Sequence, residues 1–185
     1  MSKTNHPIEK FVKTITYKGV EFEVVERPDV VWVGCVDYAD NNSDESNIEA
    51  TVNRYQKELG DVAKQELINP DYSGGLSINY ARDDKPCGLM MAQETYTDKQ
   101  DERYELLTQA GGLWLRVQIN EQSDNVLFGR SNHGMWEYFA GEEAPLQSAA
   151  KSNGYIQNPD IHIVVEYWCN TGNGANYAYI PIRAE

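Results

Sequence analysis

Cysteine is scarce in this chain, and its three copies, Cys35, Cys87 and Cys169, lie far apart with no Cys-x-x-Cys pair. That spacing supports neither a disulfide framework nor a thiolate metal site. Histidine is as sparse: His6, His133 and His162 lack metal-ligand spacing, and no His-Glu-x-x-His motif, glycine-rich phosphate loop or Gly-x-Ser-x-Gly elbow occurs. No metal and no other cofactor is therefore expected. The glycines of NTGNG, residues 170–174, mark a hairpin turn. His133 and Glu137, one helical turn apart, read as an exposed helix contact.

Long apolar runs are missing too. No stretch approaches the roughly 20 residues of a membrane span, and the opening MSKTNHPIEKF has no apolar core of the signal-peptide kind. The expectation is a cytoplasmic protein with no membrane partner. Positive charge is short: 16 Lys and Arg face 29 Asp and Glu, a formal net charge of -13. Such a balance repels phosphate backbones and anionic surfaces and argues against a direct nucleic-acid partner.

What is present is aromatic area and an internal repeat. The 12 tyrosines and 4 tryptophans supply large apolar rings with polar handles, suited both to cores and to ligand pockets. FEVVERPDVVWVGC, residues 22–35, aligns without a gap on YELLTQAGGLWLRV, residues 104–117. The constant offset of 82 places Phe22 on Tyr104, Glu23 on Glu105 and Trp32 on Trp114. Asn-Pro-Asp then recurs at 69–71 and 158–160, ahead of strand patterns ending SINY, 77–80, and VVEY, 164–167. Between these pieces each half carries a helical pattern. In the first, Ser46 and Glu49 fit a capping box, with Ile48, Val52, Tyr55, Leu59 and Val62 on one stripe. In the second, Asp124 is the candidate cap of a segment whose apolar side is Leu127, Met135, Trp136 and Phe139, although Gly129 and Gly134 interrupt it.

Each half thus reads strand, strand, helix, strand, strand, closing with LMMAQETY, 89–96, and NYAYIPI, 176–182. The predicted architecture is α+β: duplicated βαββ units related by a pseudo-two-fold axis, an antiparallel sheet with two main helices and a central ligand cleft. Pro181 places the last strand on an edge. Residues 1–19 stand apart as an N-terminal segment, mobile over its first dozen residues, and residues 40–47 form a solvated loop. Residues 20–185 form one domain, with repeats of about 20–97 and 98–185.

The strand IHIVVEYWCN, 161–170, carries the most informative polar residue. Strand side chains alternate, so Ile161, Ile163, Val165 and Tyr167 share one face, while His162, Val164, Glu166 and Trp168 share the other. Aligning SINY with VVEY sets Asn79 opposite Glu166, as though both halves aim a polar group at one place. Trp32, Trp114 and Trp136 are candidates for ring surface around that place. A strand glutamate also fits a plain solvent-facing position, with Trp168 covering its stem.

The order of elements, the duplication, and IHIVVEYW followed by Tyr179-Ile180-Pro181-Ile182 resemble the GyrI-like, or AraC-type effector-binding (SOUL-like), small-molecule-binding family over roughly residues 20–183. The resemblance implies a cleft whose floor glutamate recognises lipophilic cations in multidrug-sensing regulators, a role that falls on Glu166. It implies a hydrophobic or cationic aromatic ligand, with Trp168, Asn79, Tyr80, Trp32, Trp114 and Trp136 as further contacts. The chain departs from the family in the polar RSNHG, 130–134, and in lacking room before residue 20 for a helix-turn-helix. Some relatives look like hydrolases that open strained rings, in which case Glu166 is the base and Tyr80 or Trp136 holds the substrate. A third reading is a protein-interaction inhibitor or modulator of the GyrI type; the partners expected besides the small molecule are a second copy of the chain, as a homodimer, or another protein.

Overall fold

Two strand-forming stretches joined by a short turn open each half of the chain, and their register sets the whole sheet. The computed structural model describes residues 6–38, 46–58, 66–80, 82, 84–130, 134–140 and 143–185. The expected Ser46 cap, the Ile48 side chain, Leu59, Val62 and His133 lie outside that description. The first half contains β2 (Val20–Arg27), β3 (Val30–Tyr38), α1 (Ser46–Glu58), β4 (Tyr72–Ile78) and β5 (Gly88–Thr95). The second contains β6 (Glu105–Gln109), β7 (Gly112–Ile119), α2 (Glu121–Phe128), a 3-10 turn (Met135–Tyr138), α3 (Pro145–Lys151), β8 (Tyr155–Gln157), β9 (Ile163–Cys169) and β10 (Asn176–Ala184). Strand β1 (Lys10–Tyr17) precedes both.

All strand pairings are antiparallel, in the order β1-β2-β7-β10-β9-β4-β5-β3-β6, with β8 added beside β10. Apart from β1, which has no counterpart, equivalent strands are arranged as a palindrome about the β4–β9 seam. Each half gives its first strand to the other: β2 pairs β7, and β6 pairs β3. The repeat offset of 82 makes Val25 equivalent to Leu107 and Trp32 equivalent to Trp114. The observed pairs Val25–Trp114 and Leu107–Trp32 are accordingly images of one another. The fold is α+β with the duplicated units and pseudo-two-fold relation read from the sequence, and the sheet is open.

One sheet face holds a single apolar cluster that includes Ile161, Ile163, Val165 and Tyr167, the alternating set of β9. The sheet curls around this face. Arg27 on β2 reaches Glu94 on β5 although four strands stand between them in hydrogen-bonding order. On the opposite face α2 and α3 cover a cluster containing Phe22, Val164 and Ile180, and α1 covers a smaller one around Val33, Cys35 and Tyr104.

Expectations about Pro181 and about the second helical segment are corrected. Pro181 does not mark an edge: β10 lies inside the sheet between β7 and β9. The proline is tolerated because the neighbour changes there, from β9 along Tyr177–Tyr179 to β8 along Ile182–Ala184. The Pro181 carbonyl accepts from the Asn158 N–H on that side, so the missing donor falls in the gap.

The second helical segment is also not continuous. Asn120, not Asp124, caps α2 by accepting from the Ser123 N–H, and Gly129 ends the helix at a φ of 70°. Asp124 lies within the helix and accepts from the Tyr138 hydroxyl. Among the described residues α3 follows as a separate short helix. Within the N-terminal segment, Lys10–Tyr17 form β1. A Lys18-Gly19 turn with φ of 50° and 85° folds β1 onto β2, and His6 and Glu9 are buried among ionic groups of the curled face.

Candidate functional site

A cavity of about 720 Å³ opens at the β4–β9 seam, where the two halves meet. Its floor is a tile of four residues, since register sets Ser73 opposite Trp168 and Gly75 opposite Glu166. Val52, Tyr55 and Gln56 of α1 form one wall, and Leu89, Met91 and Gln93 of β5 another. The lining is mainly apolar, and the volume falls in the range of small-molecule pockets. The strand sequence Ser73-Gly74-Gly75 explains why space remains: a Cβ at Gly75 would come within 3.7 Å of Glu166, so the floor here is bare backbone. Gly74 faces the other way and makes room for the Trp32 ring.

Glu166 has no hydrogen bond or ion pair among the described residues. Burial pushes its carboxyl up to about 7 from an ordinary 4.5, because the charged form loses hydration without gaining a partner. Glu94, on the curled face, is the counter-example. Burial by itself would raise it too, but the Arg27 charge, with His6 and Tyr167 hydrogen-bonded to it, holds it down at about 2. Both carboxylates are withdrawn from water, and the presence of a cation decides the direction. In Glu94 the fold supplies that cation; in Glu166 the position is left open.

The other polar groups of the cavity lie beside the floor. Ser73 Oγ is 2.8 Å from the Tyr55 hydroxyl and accepts from Asn170 Nδ2 at 2.9 Å. Gln93 Nε2 donates to the carbonyls of Pro70 and Tyr72. Burial raises the Tyr55 hydroxyl to about 12, so it stays a protonated donor. Histidine, cysteine and a second carboxylate are absent from the described lining.

Of the seven contacts expected from the sequence, the structure brings Glu166 and Trp168 together here, with Trp168 38% exposed at the rim. Trp32 and Trp114 are instead fully buried on the curled face, and Trp32 Nε1 donates to Gln109. Asn79 lies beyond the end of β4 at a φ of 56°, where its amide donates to the Pro86 carbonyl. Tyr80 and Trp136 pack edge to face outside the cavity lining, Tyr80 donating to the Phe139 carbonyl and Trp136 remaining 46% exposed. Ser73, Gln93 and Asn170 were not anticipated. The Gly-Gly pair inside an apolar strand was the available signal for the floor, and Tyr55 on the α1 stripe for the wall.

A second hollow of about 120 Å³ lies among Tyr72, Tyr167, Tyr177 and Tyr179 on the curled face. Its ionic group, Arg116, is already paired with Glu9 and Glu23. Among the described residues no cluster of three or more His, Cys, Asp or Glu side chains is placed to hold a metal, and no helix is long and apolar enough to cross a membrane. Of the cysteines, Cys35 is buried, Cys169 is half-buried and Cys87 is exposed.

No family model matches the chain, and no curated protein does. Solved structures do. SAV2435 bound to tetraphenylphosphonium superposes with a TM-score of 0.59 at 12% identity, covering 88% of this chain and 93% of that one. A Staphylococcus aureus MU50 protein described as a bacterial transcription regulator matches with a TM-score of 0.57 at 13% identity, over 90% of this chain and 100% of its own. At these identities the similarity establishes a shared α+β fold.

Proposed function

We propose that this chain is a small-molecule-binding protein that takes a hydrophobic, cationic, aromatic ligand in the β4–β9 cavity, with Glu166 as its charge partner. The observation that carries this reading is a desolvated carboxylate with no partner among the described residues, set in a largely apolar cavity of about 720 Å³. An ammonium or phosphonium ion supplies the missing positive charge. Its apolar substituents occupy the walls formed by Val52, Leu89 and Met91, and Trp168 at the rim adds ring surface. SAV2435, which shares the fold, was solved with tetraphenylphosphonium, a lipophilic cation, and this supports extending the same ligand class here.

The test is a titration of wild type and Glu166→Gln with tetraphenylphosphonium and with a neutral analogue, triphenylphosphine oxide, followed by tryptophan fluorescence. The substitution keeps the shape of the side chain and removes its charge. A cation contact of about 1 to 2 kcal/mol corresponds to a roughly 5- to 30-fold loss of cation affinity, with little change for the neutral compound. Equal losses for both would remove Glu166 as the discriminating contact.

A further inference from the structure

The two hydroxyls beside the floor hold one more proton than the fold uses. Tyr55 and Ser73 share a single hydrogen bond, which consumes one hydroxyl proton whichever of them donates. Asn170 Nδ2 donates to Ser73 Oγ and so consumes none. Two hydroxyls carry two protons, and among the described residues the second has no acceptor. Ser73 is buried and lines the cavity together with Tyr55, so the ligand space is where an acceptor can reach this proton.

Register fixes where Ser73 lies relative to Glu166, and the Tyr55 hydroxyl is 2.8 Å from Ser73 Oγ. Ser73 pairs with Trp168, two residues along β9 from Glu166 on the same face. Diagonal neighbours of this kind are roughly 7 to 8 Å apart. From this geometry we infer that the ligand is bifunctional: a cation with a hydrogen-bond acceptor, a carbonyl, ether or hydroxyl oxygen, roughly 7 Å from its positive centre. The inference rests on the proposed cation site and adds the second anchor. Glu166 selects charge; the Tyr55–Ser73 pair selects a polar ligand over an all-hydrocarbon cation of the same length. A buried donor left without an acceptor penalises the ligand that lacks the oxygen, and discrimination follows from that penalty.

The experiment uses two arylalkylammonium ions of equal length, one with a ketone oxygen roughly 7 Å from the nitrogen and one with a methylene there. Both are titrated by calorimetry into wild type, Glu166→Gln and the double variant Tyr55→Phe/Ser73→Ala. The last removes both protons with little change in volume, and its thermal melt reports whether it folds. Tyr55→Phe alone is the second variant. It still leaves one unaccepted proton, on Ser73, and is expected to keep the preference.

Wild type is expected to favour the ketone by about three- to tenfold. The double variant is expected to bind the two ions equally, and Glu166→Gln to weaken both in parallel. A ketone preference that survives in the double variant would overturn the inference. So would a wild type that binds both ions equally through Glu166, a result that leaves the cation site standing. Absence of binding by either ion would remove the cation site and this inference together.

Discussion

Glu166→Gln should make the protein more stable at alkaline pH and leave it unchanged at acid pH. The reason is the open charge position at the cavity floor: burial lifts the carboxyl from 4.5 to about 7, so the folded state resists ionising a group that the unfolded chain ionises freely. Near pH 4 and below, the carboxyl is protonated in both states and glutamine has no advantage. Between pH 4.5 and 7 the unfolded chain releases the proton while the fold retains it, and wild type loses stability with each step. Above pH 7 the full penalty is present. A displacement of that size corresponds to about 3 kcal/mol, which we reduce to about 1 to 2 kcal/mol because the carboxylate faces a solvent-connected cavity. For a chain of this length that is a melting-temperature gain of roughly 2 to 8 °C at pH 8.5. Thermal melts of both proteins from pH 4.5 to 8.5 provide the comparison, with circular dichroism confirming a common fold. Parallel pH profiles, or a variant less stable at pH 8.5, would mean that Glu166 is hydrated or paired, and the reasoning from its isolation would fail.

Glu94→Gln should behave in the opposite sense. It removes one of the two buried carboxylates paired with Arg27, Glu9 being the other, at a cost of about 3 kcal/mol in urea unfolding near neutral pH. Because the fold holds the Glu94 carboxyl down at about 2, the stability it contributes is present above pH 4.5 and lost as pH falls toward 2. The gap between variant and wild type should narrow over that interval, and a constant gap would refute the pairing. The adjacent glycines of β4 should also separate. A Cβ at Gly74 meets the Trp32 ring at 2.4 Å, so Gly74→Ala should cost roughly 1 to 3 kcal/mol. Gly75→Leu projects into the cavity and should weaken tetraphenylphosphonium binding with a smaller change in melting temperature; unaltered binding would mean that this floor is not where the ligand lies.

Much of the scaffold was legible because it depends on short-range pattern. Period-two alternation in IHIVVEYW separated the core face of β9 from the face bearing Glu166, and the offset of 82 exposed the duplication that the palindromic strand order later expressed. Local chemistry also sufficed to single out Glu166, since an acid inside an apolar strand needs either solvent or a partner. The aromatic contacts were less legible for a definite reason. Trp32 and Trp114 match perfectly in the repeat, but the repeat relates them to each other and does not say which sheet face they occupy. That depends on strand pairing with distant partners, and on Gly74 leaving room for Trp32.

From its residues alone, this chain determined an antiparallel α+β fold in two similar halves, with one acid misplaced among apolar neighbours. Periodicity and burial act over a few residues and leave their trace in the sequence. Tertiary structure decided the rest: the exchange of first strands between halves, the burial of His6 and Glu9, and the meeting of Ser73, Tyr55 and Asn170 beside Glu166. These are contacts between residues up to about a hundred positions apart, set by register across a curled sheet, and no local pattern encodes them.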